Sequence, residues 1–242
     1  MDRKIILSVL AAALMGFLGI WLLLSITPDQ RAGVRLYPWD VSRDAAGQTR
    51  VLDLTLGQST LADARALAGE EGKINLFDNP DGSRTVEVFF DDVILSNIRA
   101  DWIITLDLDQ DRLGAMYDRG LRVSKMSSGS HKVKMTPEDV EALATVPVRS
   151  LTYLPWKSLE ARDIAGNFGP PAEQRTEQKS GVVHWLYPDK GMDIARDPDG
   201  GVVIQYLNPA DYGRAVALLP APAAAPGAAG RETPDPADTG AN

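Results

Sequence analysis

Two histidines, no cysteine and 33 acidic side chains are the raw material from which this chain could build a reactive site. Neither His131 nor His184 stands beside a serine motif of the nucleophile-elbow kind, so each reads as a structural or surface imidazole. Asp107, Asp109 and Asp111 repeat as D-x-D-x-D with Asp118 in the twelfth place, the opening of a calcium loop. Such a loop needs glycine at its sixth place, here Arg112, and a bidentate glutamate at its end. The same spacing suits Asp107 ending a strand and Asp109 capping the next helix. Asp91 and Asp92 follow the apolar Val88-Phe89-Phe90 with no partner acid elsewhere, and read as a turn. The absence of cysteine excludes disulfides, thiol catalysis and thiolate-bound metal, and too few nitrogen ligands remain for zinc. No catalytic residue, metal ligand or cofactor is expected, and the chain is not expected to be an enzyme.

The chemistry that the spacing favours is electrostatic. Arg119, Arg122, Lys125, His131, Lys132 and Lys134 gather in one stretch of a chain whose net charge is −8. They flank the turn sequence Ser127-Ser128-Gly129-Ser130, so strand alternation sets Lys132 and Lys134 on one face of a hairpin. A patch of this kind fits an acidic protein partner or anionic lipid headgroups. It fits equally an edge strand guarded by lysines against aggregation. The acidic balance of the whole chain argues against nucleic acid as a partner.

These side chains must be positioned by the elements around them. Sliding the chain against itself by 97 positions sets Leu54 on Leu151, Thr55 on Thr152, Ala64 on Ala161, Gly69 on Gly166 and Gly72 on Gly169. The same offset carries Val86 to Val183 and Phe90 to Tyr187. One offset held over such a length predicts two copies of one supersecondary unit. Each copy reads as a short strand (51–56 and 148–154), a helix, a closing glycine, and β segments divided by turn residues. The β segments cover 85–90 and 100–108 in the first copy, and 182–187, 191–195 and 202–207 in the second. A helix from Gln110 to Arg119 is predicted between the copies, and Thr136, Pro137, Glu138 and Asp139 mark the start of another. The expected fold class is therefore α+β: two tandem helix-plus-antiparallel-meander units at 49–118 and 148–214, linked by the hairpin and helix of 119–147. Leu67, Ile164, Val86, Val183 and Trp185 are expected in the core.

The ends of the chain carry separate expectations. Residues 5–26 are apolar and uncharged behind Arg3 and Lys4. At about 1.5 Å per helical residue the run reaches roughly 33 Å, enough for a hydrocarbon core of about 30 Å. It predicts an N-terminal transmembrane helix that serves as an uncleaved signal anchor, behind a cytoplasmic stub at 1–4 and ahead of a juxtamembrane segment at 27–48. The expected location is the inner membrane, single-pass, with the bulk of the chain in the periplasm. Tyr37 and Trp39 then lie either at the membrane interface or against the first unit. Residues 215–242, rich in Ala, Pro and Gly, predict a disordered tail.

From Ser158 to Ile194 the second copy reads SLEARDIAGNFGPPAEQRTEQKSGVVHWLYPDKGMDI. Phe168 and Gly169 with Pro171, then Trp185 and Tyr187, resemble the SmpA/OmlA group of BamE-like envelope proteins, whose helix ends in F-G-x-P before strands that bear W-x-Y. The resemblance implies tandem BamE-like units and a non-catalytic interaction or scaffold role in the cell envelope, with an envelope protein as partner and a membrane helix in place of a lipid anchor. Tandem units of this kind are also similar to the β-lactamase inhibitory proteins, which implies an alternative function as inhibitor of a periplasmic hydrolase. Both are binding functions, and fold-level analogy does not select between them. The candidate binding residues are Arg119, Arg122, Lys125, Lys132 and Lys134.

Overall fold

The computed structural model describes residues 35–220. Three short strands, β1 (Ser42–Arg43), β2 (Thr49–Val51) and β3 (Leu54–Thr55), pair in chain order as a small antiparallel sheet. Thr60 then opens helix α1 (Leu61–Ala68) with a reciprocal cap: its N–H donates to Asp63 Oδ2 at 2.7 Å, and Asp63 N–H donates to its Oγ1 at 3.3 Å. Gly69 ends the helix at φ 78°, in the left-handed region that a side chain resists.

A meander follows, of β4 (Lys73–Asp78), β5 (Arg84–Leu95) and β6 (Ile98–Leu106). Next come α2 (Gln110–Asp118), the hairpin β7 (Arg122–Lys125) and β8 (His131–Lys134), α3 (Pro137–Ala142) and β9 (Val148–Pro155). Asp109 caps α2 by accepting the Arg112 N–H at 2.7 Å, and Thr136 caps α3 by accepting the Asp139 N–H at 3.1 Å. The chain ends in α4 (Ala161–Phe168), β10 (Glu173–Thr176), β11 (Val183–Tyr187), β12 (Met192–Arg196), β13 (Val202–Leu207) and α5 (Pro209–Ala217).

Ten of these strands make one sheet in the order β10-β11-β12-β13-β9-β6-β5-β4-β8-β7, antiparallel throughout. Side chains on one face line up in rows that cross its middle. One row is Phe90, Trp102, Tyr153, Ile204, Ile194 and Trp185; the next is Val88, Ile104, Leu151, Tyr206, Met192 and Tyr187. Every member of both rows is buried. Cross-strand pairs of this size are the unit of sheet stabilisation, and here they link β5 to β11 without interruption.

That continuity corrects the expected fold class. The structure is mostly antiparallel sheet with few helices, and its core is one cluster rather than two tandem helix-plus-meander units. The physical reason is β9. It bonds to β6 on one side and to β13 on the other, and offers Leu151 and Tyr153 to both neighbours, so no seam exists at residue 148. The hairpin of 119–147 is not a linker either, because β8 pairs with β4 and extends the same sheet. The offset is also different where the helices are compared. Asp63 and Asp163 hold the same capping place, and Gly69 and Gly169 both close helices, which is an offset of 100 positions. At an offset of 97, Ala64, fully buried, meets Ala161, the exposed first residue of α4. Of the expected core, Val86, Ile164 and Trp185 are buried, while Leu67 and Val183 are half-buried.

The membrane expectation is corrected as well. Among the described residues the longest helices are nine residues, about 13 Å at 1.5 Å per residue, and none is long and apolar enough to cross a membrane. The transmembrane signal anchor, the inner-membrane location and the envelope and periplasmic placement that depended on them are not carried forward. Residues 5–26 lie outside the described residues. So do 221–242 of the expected tail, whose boundary at 215 falls inside α5.

Candidate functional site

The cationic hairpin is built on a close approach. Gly120 follows α2, and a Cβ there would lie 2.4 Å from Val133 Cγ1 and 2.9 Å from the Tyr117 carbonyl oxygen. Only glycine brings the chain back so tightly over β8. At the far end Met126 N–H donates to the Ser130 carbonyl at 2.9 Å, and Gly129 takes φ 89° in the turn. Val133, fully buried, pairs with Leu76 of β4 and pins the hairpin to the sheet.

β7 is the last strand of the ten, and each of its residues is exposed. Because Met126 bonds inward, antiparallel alternation turns the N–H and C=O of Ser124 and Arg122 toward β8 and those of Val123 and Lys125 out to the open edge. Leu121, Val123 and Met126 are exposed apolar side chains along the same stretch. Arg122 stands opposite Lys134, and Ser124 opposite Lys132, which gathers three cations on one face; Lys125 faces the other way, opposite His131.

Four of the five candidate residues are free to meet a partner. Arg122, Lys125, Lys132 and Lys134 make no side-chain hydrogen bond or ion pair among the described residues. Arg119 is different. It caps α2, and its guanidinium grips Asp139 through contacts of 2.7 and 3.3 Å. This pairing holds the Asp139 carboxyl below its ordinary range. Arg119 therefore docks α3 onto α2 and belongs to the framework. His131 Nδ1 lies 3.8 Å from Asp78, an acid already paired with Arg84 at 3.0 Å.

The acidic motifs resolve into structural roles. Asp109 is a helix cap, and among the described residues no group of three or more His, Cys, Asp or Glu side chains is placed to hold a metal ion. Asp91 and Asp92 form no turn; they sit in a bulge of β5, where Asp92, at φ 57°, is bidentate to Arg99. His184 is buried between Asp193 at 2.7 Å and Glu177 at 3.3 Å. Burial raises the Asp193 carboxyl, and the His184 bond opposes that rise.

A cavity of about 520 Å³ was not anticipated from sequence. Its floor is Tyr153 and Ile204, its roof Pro38 and Trp39, and its side walls include Phe168 and Trp156. The roof is tied down at two points: Leu36 N–H donates to Ser96 Oγ at 2.8 Å, and Tyr206 OH donates to the Pro38 carbonyl at 2.6 Å. Trp39 stacks on Tyr37 at 4.8 Å and meets Phe168 edge-on at 6.1 Å, so these rings sit against the fold. Trp156 is half exposed, donates to Asp101 at 2.7 Å and carries the Arg99 guanidinium 4.0 Å over its ring. The segments Tyr37-Pro38-Trp39 and Pro155-Trp156-Lys157 were the visible signals, each an aromatic fixed by proline. Their convergence was not visible.

The chain matches no known protein family, no curated protein and no solved structure.

Proposed function

We propose that the protein is a non-catalytic binding module that captures an extended, acidic segment of a partner protein along β7. One observation carries the reading: the outermost strand of a ten-stranded sheet presents free backbone groups beside four cations that have no partner within the described fold. Strand addition supplies backbone hydrogen bonds, and alternating side chains of the added strand meet Arg122 and Lys134 or Lys125 in turn. Edge protection accounts for charge along β7 but gains nothing from cations opposed across β7 and β8. The resemblance to the SmpA/OmlA group is proposed only for the packing unit at the end of α4. There Tyr187 OH donates to the Gly169 carbonyl at 2.9 Å and Lys190 Nζ to the Phe168 carbonyl at 2.8 Å, which assigns those motif residues to folding. The inhibitor alternative asks for several exposed aromatic anchors, and Trp156 is the one exposed large aromatic among the described residues.

The test uses a labelled decapeptide of alternating Glu and Val, with its Lys–Val counterpart as control. The acidic peptide should bind, the basic one should not, and affinity should fall steeply with added salt. Val123→Pro, which removes an outward N–H, should abolish binding and leave the fold intact. Equal binding of both peptides, or full binding by Val123→Pro, would sink the reading.

A further inference from the structure

We propose that the aromatic cavity is a second, independent binding site, for an amphipathic carboxylate: an apolar aliphatic or aromatic body with one anionic head. Its volume of about 520 Å³ falls among ordinary small-molecule sites. Tyr153, Trp156, Phe168, Trp39, Ile204 and Leu159 supply an apolar wall for the body. The charged side chains of the lining itself are both cations, with Asp92 and Asp101 held behind Arg99 and Trp156. Arg99 and Lys157 border the cavity and no carboxylate does, in a chain with 33 acids against 25 bases.

The two cations are not equivalent. Arg99 is neutralised by Asp92 and held over the Trp156 ring, so it shapes the wall. Lys157 is exposed and makes no side-chain contact with an acid among the described residues, which leaves its ammonium as the group that meets the head. Asn97 and Asn167 stand at the rim with side-chain amides that make no hydrogen bond among the described residues, ready to complete the polar end. A neutral alcohol of the same length would fill the wall equally and forgo the ammonium.

Equilibrium dialysis of the full chain against radiolabelled decanoate, with decanol as the uncharged match, tests the assignment. Decanoate should bind saturably and roughly fivefold more tightly than decanol, the scale of one half-exposed charge pair. Lys157→Gln should weaken decanoate about fivefold and leave decanol unchanged, a split that a merely structural lysine would not produce. Leu159→Trp, which fills the cavity, and separately Asn167→Trp, on the exposed face of α4 at its mouth, should each remove saturable binding of both ligands. Residues 5–26 are common to all variants, so any unsaturable uptake by that apolar run cancels between them. The proposal is overturned if binding does not saturate, if both tryptophan variants bind as before, or if Lys157→Gln leaves decanoate unaffected.

Discussion

Arg122 and Lys134 occupy directly opposed positions of the β7–β8 register, two cations face to face with no acid between them. Like charges at such a pair destabilise a hairpin, whereas opposite charges support it. Lys134→Glu should therefore stabilise the fold, by about 0.5 kcal/mol in chemical denaturation. The same change should abolish capture of the acidic decapeptide. A variant that gains no stability would show that the two side chains splay apart in solution.

Replacing Arg122, Lys125, Lys132 and Lys134 together with Gln separates binding from folding. Each side chain lies on the hairpin surface without a partner, and surface changes of this kind usually shift stability by less than about 0.5 kcal/mol each. Arg119→Gln is the contrast. It removes both guanidinium contacts from buried Asp139, leaving it the Thr136 hydroxyl, and should lower the melting temperature while leaving peptide capture unchanged. Were the quadruple variant to bind the acidic peptide at full strength, the cations would be edge protection alone.

What could be read from sequence was local. Asp109 before Gln110, and Thr136 before Pro137, announce helix starts because the caps bond within three residues. Long-range pairing leaves no such mark. Leu151 and Thr152 repeat Leu54 and Thr55, so β9 looked like the opening of a second copy; yet β3 stays in the small sheet while β9 joins β6 to β13. Alternation is the same whichever neighbour a strand takes. For the same reason composition alone placed Arg119 with the other cations, since its acid lies twenty residues further along. The cavity needed Trp39 and Trp156, far apart in the chain, to line one space.

The backbone around Gly120 makes a sharper demand. A methyl group there meets Val133 Cγ1 at 2.4 Å and a carbonyl oxygen at 2.9 Å, and Val133 is itself fully buried. Gly120→Ala should cost about 1 to 3 kcal/mol, as overpacking does. Amide hydrogen exchange should show that the loss is concentrated in β7 and β8. Uniform exchange across the sheet would mean that the hairpin is not docked at this point.

Two tryptophans should respond unequally to truncation. Trp185 ends a buried row beside Ile194, and Trp185→Ala should cost about 3 to 5 kcal/mol. Trp156 is 52% exposed, so Trp156→Ala should change stability far less and act instead on the cavity. Equal losses in denaturant titrations would contradict the placement of one or the other.

Acid should release α5 before the sheet unfolds. Asp211 on α5 is bidentate to Arg149 of β9 at 2.8 and 3.0 Å, and also pairs with Arg214. The Arg149 hydrogen bonds, opposed by partial burial, hold its carboxyl below the ordinary aspartate value of 3.8. A carboxyl whose folded pKa is depressed contributes stability that is complete above its unfolded pKa and is lost as pH falls through the folded one. The window therefore lies below about pH 4. Exchange protection over 209–217, corrected for intrinsic rates, should drop through that range. Asp211→Asn should show the weakened docking already at pH 7 and lose the acid-dependent component. Full protection of Asp211→Asn at pH 7 would assign the docking of α5 to Tyr212 and to the Arg175 bond on the Val216 carbonyl, 3.0 Å away.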